Sequence, residues 1–167
     1  MKDIHHAAIT TIAASGDATR NVMVSLHPED SGIHETVFNQ ARELSRKLEP
    51  QTHAYHEIWL DAKRIYSGAE EEPLYGPGYL PRKFKIAFTL PPENDVDVYA
   101  QDLSFVAIAK EGKLLGYDIL AGGGMGYAYG NPGSFPRLAD IIGFCFPEQV
   151  EEVARQVLLI HKEFSTR

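Results

Sequence analysis

Apolar residues recur every three or four positions in two stretches of the chain, which predicts two amphipathic helices. The first helix is expected from about Ile33 to Leu48, and Pro50 marks its end. The second is expected to begin near Pro147, because proline is favoured in the first turn of a helix. The apolar positions are Val37, Phe38, Ala41, Leu44 and Leu48 in the first stretch, and Val150, Val153, Ala154, Val157, Leu158, His161 and Phe164 in the second.

Runs of β-branched and aromatic residues predict strands, each bounded by turn-forming residues. Two of these runs flank Gly112 closely enough to form a hairpin, with the glycine in the tight turn. In the middle of the chain, consecutive strands follow one another with no helix between them. The predicted strands are 8–14, 56–60 continuing towards 65, 84–90, 103–109 and 114–120.

The connecting segments are assigned from their glycine, proline and polar clusters. Asp17 is expected to cap a short helix that runs through Met23. Ser67–Leu80 is expected to be an exposed connection, residues 122–133 a glycine-rich loop, and Leu138–Ile142 a short helix. Helices and strands are interleaved, which predicts an α+β fold in which helices pack on a mixed β-sheet.

Length, charge and composition restrict the function. The 167 residues are expected to form a single domain over 1–167. They carry 16 Lys+Arg against 23 Asp+Glu, a formal net charge of −7, whereas a protein that binds nucleic acid needs a basic excess. No run of about 20 apolar residues is present, and residues 1–6 lack the apolar core of a signal peptide. We therefore expect neither nucleic acid nor a membrane as a partner. The acidic run Glu70–Glu72 is expected in a solvated loop.

The chain has one cysteine, Cys145, which excludes an internal disulfide, a CxxC redox pair and an all-cysteine metal site formed by this chain alone. It lies between Phe144 and Phe146, and a cysteine with apolar neighbours is more often a core residue than a nucleophile. His53 and His56 are three residues apart without the HExxH context, so no zinc site is expected.

The segment Leu80-Pro-Arg-Lys-Phe-Lys85 concentrates three cations at the start of an apolar strand. Alternate side chains of a strand share a face, so Lys83 and Lys85 are expected to point one way and Phe84 the other. Two ammonium groups within about 7 Å along a strand repel each other unless an anion lies between them. An anion site is one interpretation, and a solvated strand edge, where lysines discourage aggregation, is the other.

Two further segments are candidates for holding an anion. In Ala121-Gly-Gly-Gly-Met-Gly126, four glycines in five positions allow backbone N–H groups to approach a ligand, although the segment matches neither a P-loop nor a dinucleotide-binding motif. Arg20 is expected in the first turn of the short helix after Asp17, where its guanidinium could meet an anion. A flexible loop and an ordinary surface arginine are the alternatives.

Taken in order, these segments resemble the hemoproteins of the siroheme-dependent sulfite and nitrite reductase family. The resemblance runs from about Ile9 to Arg167. It implies an α+β domain with a mixed sheet of about five strands. For the complete enzyme it implies the six-electron reduction of sulfite to sulfide in the cytoplasm, within sulfur assimilation and cysteine biosynthesis. It is carried by Gly16-Asp-Ala-Thr-Arg-Asn-Val-Met23, Leu80-Pro-Arg-Lys-Phe-Lys85, Asn94-Asp-Val-Asp-Val-Tyr99, Phe105-Val-Ala-Ile108 and Gly122-Gly-Gly124.

In that family a siroheme coupled to a 4Fe-4S cluster reduces the anion, and basic side chains surround the anion. The resemblance implies that Arg20, Lys83 and Lys85 bind the anion. It also implies that Arg82 contacts siroheme carboxylates and that Gly122, Gly123 and Gly124 lie against the macrocycle. A bidentate arginine suits the many carboxylates of siroheme. Nitrite reductases of the family tend to carry asparagine at the position of Lys85, so lysine favours sulfite.

The resemblance also implies what this chain lacks. The family's cluster ligands are two pairs of cysteines in the C-terminal half of the complete protein, and Cys145 alone cannot replace four thiolates. The N-terminal half, which supplies another anion-binding arginine, is absent as well, and the chain stops before a basic stretch that follows the last helix in relatives. We therefore expect a central siroheme-facing domain that is inactive in isolation.

The implied partners are sulfite or a similar small oxyanion, the remaining domains of the same hemoprotein, and a flavoprotein subunit or a ferredoxin as the electron donor. Two alternatives stay open. One is the equivalent domain of a siroheme nitrite reductase. The other is a non-catalytic fragment that binds siroheme or a partner subunit.

Overall fold

A computed structural model describes residues 18–25, 32–51, 57–67, 72–76 and 78–165 of the chain. Within these residues lie two α-helices, seven strands and two short 3-10 helices. The helices are α1 (Gly32–Lys47) and α2 (Val150–Phe164), the 3-10 helices are Val98–Ala100 and Pro147–Gln149, and the strands are β1 (Thr19–Val24), β2 (Glu57–Leu60), β3 (Lys63–Ser67), β4 (Phe84–Thr89), β5 (Leu103–Lys110), β6 (Lys113–Ala121) and β7 (Asp140–Cys145).

Five of the described strands form one mixed sheet in the order β1-β4-β5-β6-β7. β1, β4 and β5 are parallel to one another, whereas β6 is antiparallel to both β5 and β7. β2 and β3 form a separate antiparallel hairpin. The prediction of an α+β fold with helices on a mixed sheet of about five strands is therefore confirmed. Neither described helix combines the length and the apolar character needed to cross a bilayer.

The main core lies between the sheet and the two helices. At its centre, the rings of Phe88 and Phe105 stack with their centroids 4.7 Å apart, and Tyr117 meets both rings edge-on at 5.5 and 5.9 Å. Burial of one such side chain contributes roughly 1.5–3 kcal/mol. Both predicted helices are confirmed, because they bury the expected apolar positions against these strands. The buried helical residues are Val37, Ala41, Leu44, Val150, Ala154 and Leu158.

The opposite face of the sheet is covered in part by loop residues. Ala87 of β4 and Leu120 of β6 are buried there with Val98, from a 3-10 helix, and Ala139, which precedes β7. The segments that precede β5 and β7 are therefore held on this side of the sheet.

The short helix expected after Asp17 is wrong where the structure describes it. Thr19–Val24 is a strand that pairs in parallel with β4, with Val22 opposite Ile86. The β-branched residues of this segment fit a sheet better than a helix, and pairing with a neighbouring strand decides between the two. Asp17 and the predicted strand 8–14 lie outside the described residues.

The short helix expected at Leu138–Ile142 is also wrong. β7 begins at Asp140 and pairs with β6, so that Ile141 lies opposite Leu120. This edge strand is exposed at every position before Cys145. Its sequence lacks the alternation of apolar and polar residues that identifies a half-buried strand, and the sequence analysis therefore did not indicate a strand here.

One predicted strand differs in detail, and its neighbours along the chain are as expected. The strand expected to continue from residue 60 towards 65 is broken at Asp61 and Ala62, whose φ angles of 50° and 60° form the turn between β2 and β3. The hairpin between β5 and β6 is confirmed, with Gly112 at a φ of +74° in the turn. The predicted strand 84–90 is confirmed as β4.

The prediction that Ser67–Leu80 is an exposed connection is wrong for several of its described residues. Tyr75, Tyr79 and Leu80 are buried in the main core. Glu72 is only 2% exposed, and its Oε2 accepts a hydrogen bond from the backbone N–H of Gln51 at 2.9 Å. This glutamate ties the connection to Gln51, in the segment that follows α1, and does not belong to a solvated loop.

Candidate functional site

The sheet register brings the candidate residues to one end of the sheet. Thr19 in β1 lies opposite Phe84, the first residue of β4. Leu103, the first residue of the parallel strand β5, lies opposite Ala121, the last residue of β6. Arg20, the cations around the start of β4 and the glycines after β6 therefore meet at the same end of the molecule.

Arg20 lies on a strand and not in the first turn of a helix as predicted. The register between β1 and β4 shifts between Thr19 and Asn21, and Asn21 lies opposite Lys85. Arg20 is therefore the extra residue of a bulge next to Lys85, and its side chain is exposed. Bulges of this kind redirect a side chain at the edge of a sheet.

The two lysines of the cationic segment have different surroundings. Phe84 is 1% exposed and packs against the ring of His161 with centroids 5.1 Å apart. Lys85 follows it in β4, is half-buried and lies on the other face by strand alternation. Lys83 is exposed and precedes the first residue of β4, so strand alternation does not fix the direction of its side chain. That Lys83 and Lys85 share a face therefore stays a prediction.

An open cavity of about 440 Å³ lies at this end of the sheet. Its walls include Arg82 together with Gly122, Gly123 and Gly124, so the structure brings together the arginine and the glycines that are far apart in the sequence. Arg20, Lys83 and Lys85 do not line the cavity. Other residues in its walls are Asp102, Gly126, Ala128, Asn131, Gly133, Ser134, Phe135, Arg137, His161 and Ser165.

The glycine loop is fixed by its own backbone. The N–H groups of Gly122 and Gly123 donate to the carbonyl oxygens of Asp102 and Gln101, at 3.0 and 3.1 Å. A Cβ on Gly123 would lie 2.5 Å from the Gln101 oxygen, so no larger residue fits there without a shift. These amides are already hydrogen-bonded, which corrects the expectation that they hold an anion. Gly122–Gly124 therefore present backbone atoms without side chains to a ligand, and we call this surface the glycine wall.

Arg137 is a cavity residue that the sequence analysis missed. Its backbone pairs with Gly124 as an isolated antiparallel bridge, and its guanidinium forms an exposed ion pair with Asp140. A second arginine therefore accompanies Arg82 in the same cavity. The only signal in the sequence was a lone cation that follows the glycine-rich loop.

Asp102 and His161 were also missed as site residues. The Oδ2 of Asp102 accepts a hydrogen bond from the backbone N–H of Lys85 at 2.9 Å. Burial raises the pKa of Asp102, while this hydrogen bond and the nearby cations, Lys85 and Arg82 among them, act to lower it. Burial lowers the pKa of His161, and Asp102 opposes that effect. The Nδ1 of His161 lies 2.9 Å from the Oγ of Ser165.

The prediction that Cys145 is a core residue is confirmed. Its side chain is 2% exposed, and burial raises the pKa of the thiol to about 11. Cys145 lies opposite Tyr117 in the core between the sheet and the helices, away from the cavity. Among the residues that the structure describes, no group of three His, Cys, Asp or Glu is placed to hold a metal ion. His53 and His56 lie outside those residues.

The model of the nitrite and sulphite reductase 4Fe-4S domain family matches residues 40–167. The chain belongs to this family, because the match covers more than half of it.

Two curated relatives of the chain carry the same protein name. The sulfite reductase (NADPH) hemoprotein beta-component of Oceanobacillus iheyensis is 50% identical over 168 residues, and the match covers 100% of this chain and 29% of that protein. The protein of the same name from Bacillus subtilis is 49% identical over 169 residues, with 100% and 30% covered. The chain thus spans about 30% of the length of the curated relatives it matches.

A solved structure shows the same fold. The structure of the Mycobacterium tuberculosis NirA protein superposes with a TM-score of 0.62 over 99% of this chain and 25% of that one. The sequence identity is 22%, so this likeness bears on the fold alone.

Proposed function

We propose that this chain is the siroheme-facing part of a sulfite reductase hemoprotein and that it needs the rest of the hemoprotein to act. The observation that carries the proposal is the cavity that joins Arg82 to Gly122–Gly124. The names of the relatives at about half identity over the whole chain support it. The sulfite-reducing activity, the substrate and the partners belong to the complete protein.

The residues around the cavity fit a large, flat ligand with many carboxylates. Arg82 and Arg137 supply two guanidinium groups, which suit carboxylates in bidentate geometry. A Cβ on Gly124 or Gly126 would meet nothing within 4 Å, so the loop presents open, unobstructed backbone. The cavity is open to solvent, which leaves room for the rest of the hemoprotein to cover the ligand.

Siroheme, when bound, supplies the iron at which sulfite is reduced. The role of the chain's own residues is to bind and orient the cofactor and the anion. Arg82 would hold carboxylates of the cofactor, and the glycine loop would lie against the macrocycle. Arg20, Lys83 and Lys85 lie at the same end of the sheet as the cavity but do not line it. As cations at that end, they would bind sulfite oxygens and stabilise the negative charge there.

The chain's residues do not fit a 4Fe-4S cluster. A cluster is held by four thiolates, and the sequence has one cysteine, which is buried in the core between the sheet and the helices and does not line the cavity. The cluster of the complete enzyme therefore takes its ligands from outside this chain, and the isolated chain does not reduce sulfite. A flavoprotein subunit is the electron donor that the names of the relatives favour over a ferredoxin. The complete enzyme acts in the cytoplasm.

The proposal is tested in the complete hemoprotein with Lys85→Asn. Rates with sulfite and with nitrite are compared, and Lys110→Asn is the control, because Lys110 is an exposed lysine at the opposite end of the sheet. We expect kcat/KM for sulfite to fall about tenfold or more, as for the loss of a charge-assisted contact, while nitrite is less affected. An unchanged ratio of the two rates would remove Lys85 from anion recognition. A wild-type preference for nitrite would favour the nitrite reductase alternative.

A further inference from the structure

Asp102 is bonded to both parts of the candidate site. Its Oδ2 accepts a hydrogen bond from the backbone N–H of Lys85 at 2.9 Å. Its backbone carbonyl accepts one from the N–H of Gly122 at 3.0 Å, and the neighbouring carbonyl of Gln101 accepts one from Gly123 at 3.1 Å. The start of β4, which carries the cations, and the glycine wall are therefore joined through one residue.

A carboxylate is an unexpected group in the wall of this cavity. It faces Arg82 and His161 there, and it would repel the carboxylates of the proposed cofactor. Burial also disfavours its charged form. Asp102 therefore does not serve to recognise an anionic ligand, and the hydrogen bond that fixes its side chain runs from the backbone N–H of Lys85.

We propose that Asp102 is a positioning residue that holds Lys85 and the glycine loop at a fixed separation before the ligand binds. This role rests on the proposed function, because it presets the distance between the cations that bind the oxyanion and the wall that takes the macrocycle. A site that is held in its binding geometry loses less conformational freedom when the ligand arrives.

The first test is amide hydrogen exchange in the 167-residue chain. Asp102→Ala removes the acceptor, Asp102→Asn keeps an acceptor oxygen without the charge, and Asp118→Ala is a control at another half-buried aspartate of the same sheet. With Asp102→Ala we expect exchange of the Lys85 and Gly122 amides to rise about tenfold or more. Amides of β6 should not exchange faster than in wild type, and Asp102→Asn should not raise exchange of the Lys85 or Gly122 amide.

Three results of this test would overturn the proposal. Exchange that rises equally across β6 would mean general destabilisation. Exchange that rises at Lys85 but not at Gly122 would mean that Asp102 does not couple the two elements. Asp102→Asn behaving like Asp102→Ala would mean that the charge, and not the acceptor, matters. If Asp102→Ala does not fold, Asp102→Leu supplies similar volume without an acceptor and is subject to the same criteria.

The second test is a titration of each variant of the complete hemoprotein, freed of its cofactor, with siroheme, followed by visible absorbance. We expect Asp102→Ala to bind about tenfold more weakly than wild type, and Asp102→Asn to bind within about threefold. If wild type and Asp102→Ala bind equally well, the positioning role is wrong and the proposed function stands. If wild type does not bind siroheme, the proposed function fails, and the exchange rates alone decide whether Asp102 couples the two elements.

Discussion

The backbones of Gly124 and Arg137 are hydrogen-bonded in both directions, with the Gly124 N–H 2.8 Å from the Arg137 oxygen and the Arg137 N–H 2.7 Å from the Gly124 oxygen. This pair closes the loop after β6 and places a second arginine beside the glycine wall. The geometry of the cavity therefore depends on backbone bonds that any local distortion of the loop would break.

Gly123→Ala should destabilise the protein, because the new Cβ would lie 2.4 Å from the Tyr99 oxygen and 2.5 Å from the Gln101 oxygen. Both neighbours are backbone atoms, so the loop must shift, at a cost of roughly 1–3 kcal/mol. Thermal unfolding measures this loss of stability. The matched control is Gly124→Ala, whose Cβ meets nothing within 4 Å. Equal unfolding temperatures for the two variants would contradict the packing of this loop.

Asp102→Asn should raise the unfolding temperature at neutral pH. Burial raises the folded-state pKa of Asp102 above its ordinary value of 3.8. Its contribution to stability is therefore fully present below that ordinary value and is lost as the pH rises through the raised pKa. The neutral amide avoids this loss and keeps an acceptor for Lys85. We expect a gain of a few degrees at most, since about 1 kcal/mol corresponds to roughly 2–4 °C at this size. The gain should shrink as the pH is lowered towards 4, and a gain that is independent of pH would refute the explanation.

The free energy of unfolding should fall as the pH rises above about 9. Burial raises the pKa of Cys145 to about 11 in the folded state, from a value of 9.0 when it is exposed. The stability that the neutral thiol contributes is therefore lost between these two values. Denaturant titrations at several pH values should show a shallower decline for Cys145→Ala. Tyr75 and Tyr117, whose pKa values burial also raises, leave a residual slope above about pH 10. Identical slopes for variant and wild type would show that the thiol titrates freely.

Tyr117→Phe should cost roughly 1 kcal/mol of stability. The Tyr117 hydroxyl donates to the Oε1 of Gln40 at 2.7 Å and so joins β6 to α1. The ring itself stays in the aromatic core, so the variant isolates the hydrogen bond. Tyr129→Phe serves as the control, because Tyr129 is 99% exposed. If both variants unfold at the wild-type temperature, the bond between β6 and α1 contributes nothing.

The sequence predicts the elements whose signals are local. Both helices follow from apolar spacing, and the hairpin at Gly112 follows from its turn residue and flanking strands. β1 and β7 were missed for a physical reason, since each is an edge strand whose state depends on the partner it pairs with. A six-residue segment without alternation carries too little information to indicate that partner.

The residues of the candidate site likewise fall into those that a sequence motif indicates and those that only the fold brings together. Arg82 and the glycines were found through family resemblance, and the structure places them in one cavity. Asp102, Arg137 and His161 have no motif of their own. They join the site only because the register of β4, β5 and β6 and the end of α2 bring distant segments together.

The most direct test of the central claim is a siroheme titration of the complete hemoprotein freed of its cofactor, wild type against Arg82→Ala, followed by the visible absorbance of the tetrapyrrole. Arg155→Ala is the control, because Arg155 is an exposed arginine on α2 that pairs with Glu152 and does not line the cavity. We predict saturable binding by wild type and by Arg155→Ala, and binding weaker by about tenfold or more for Arg82→Ala. No spectral change with wild type, or equal affinity for all three proteins, would contradict the assignment of this cavity to siroheme.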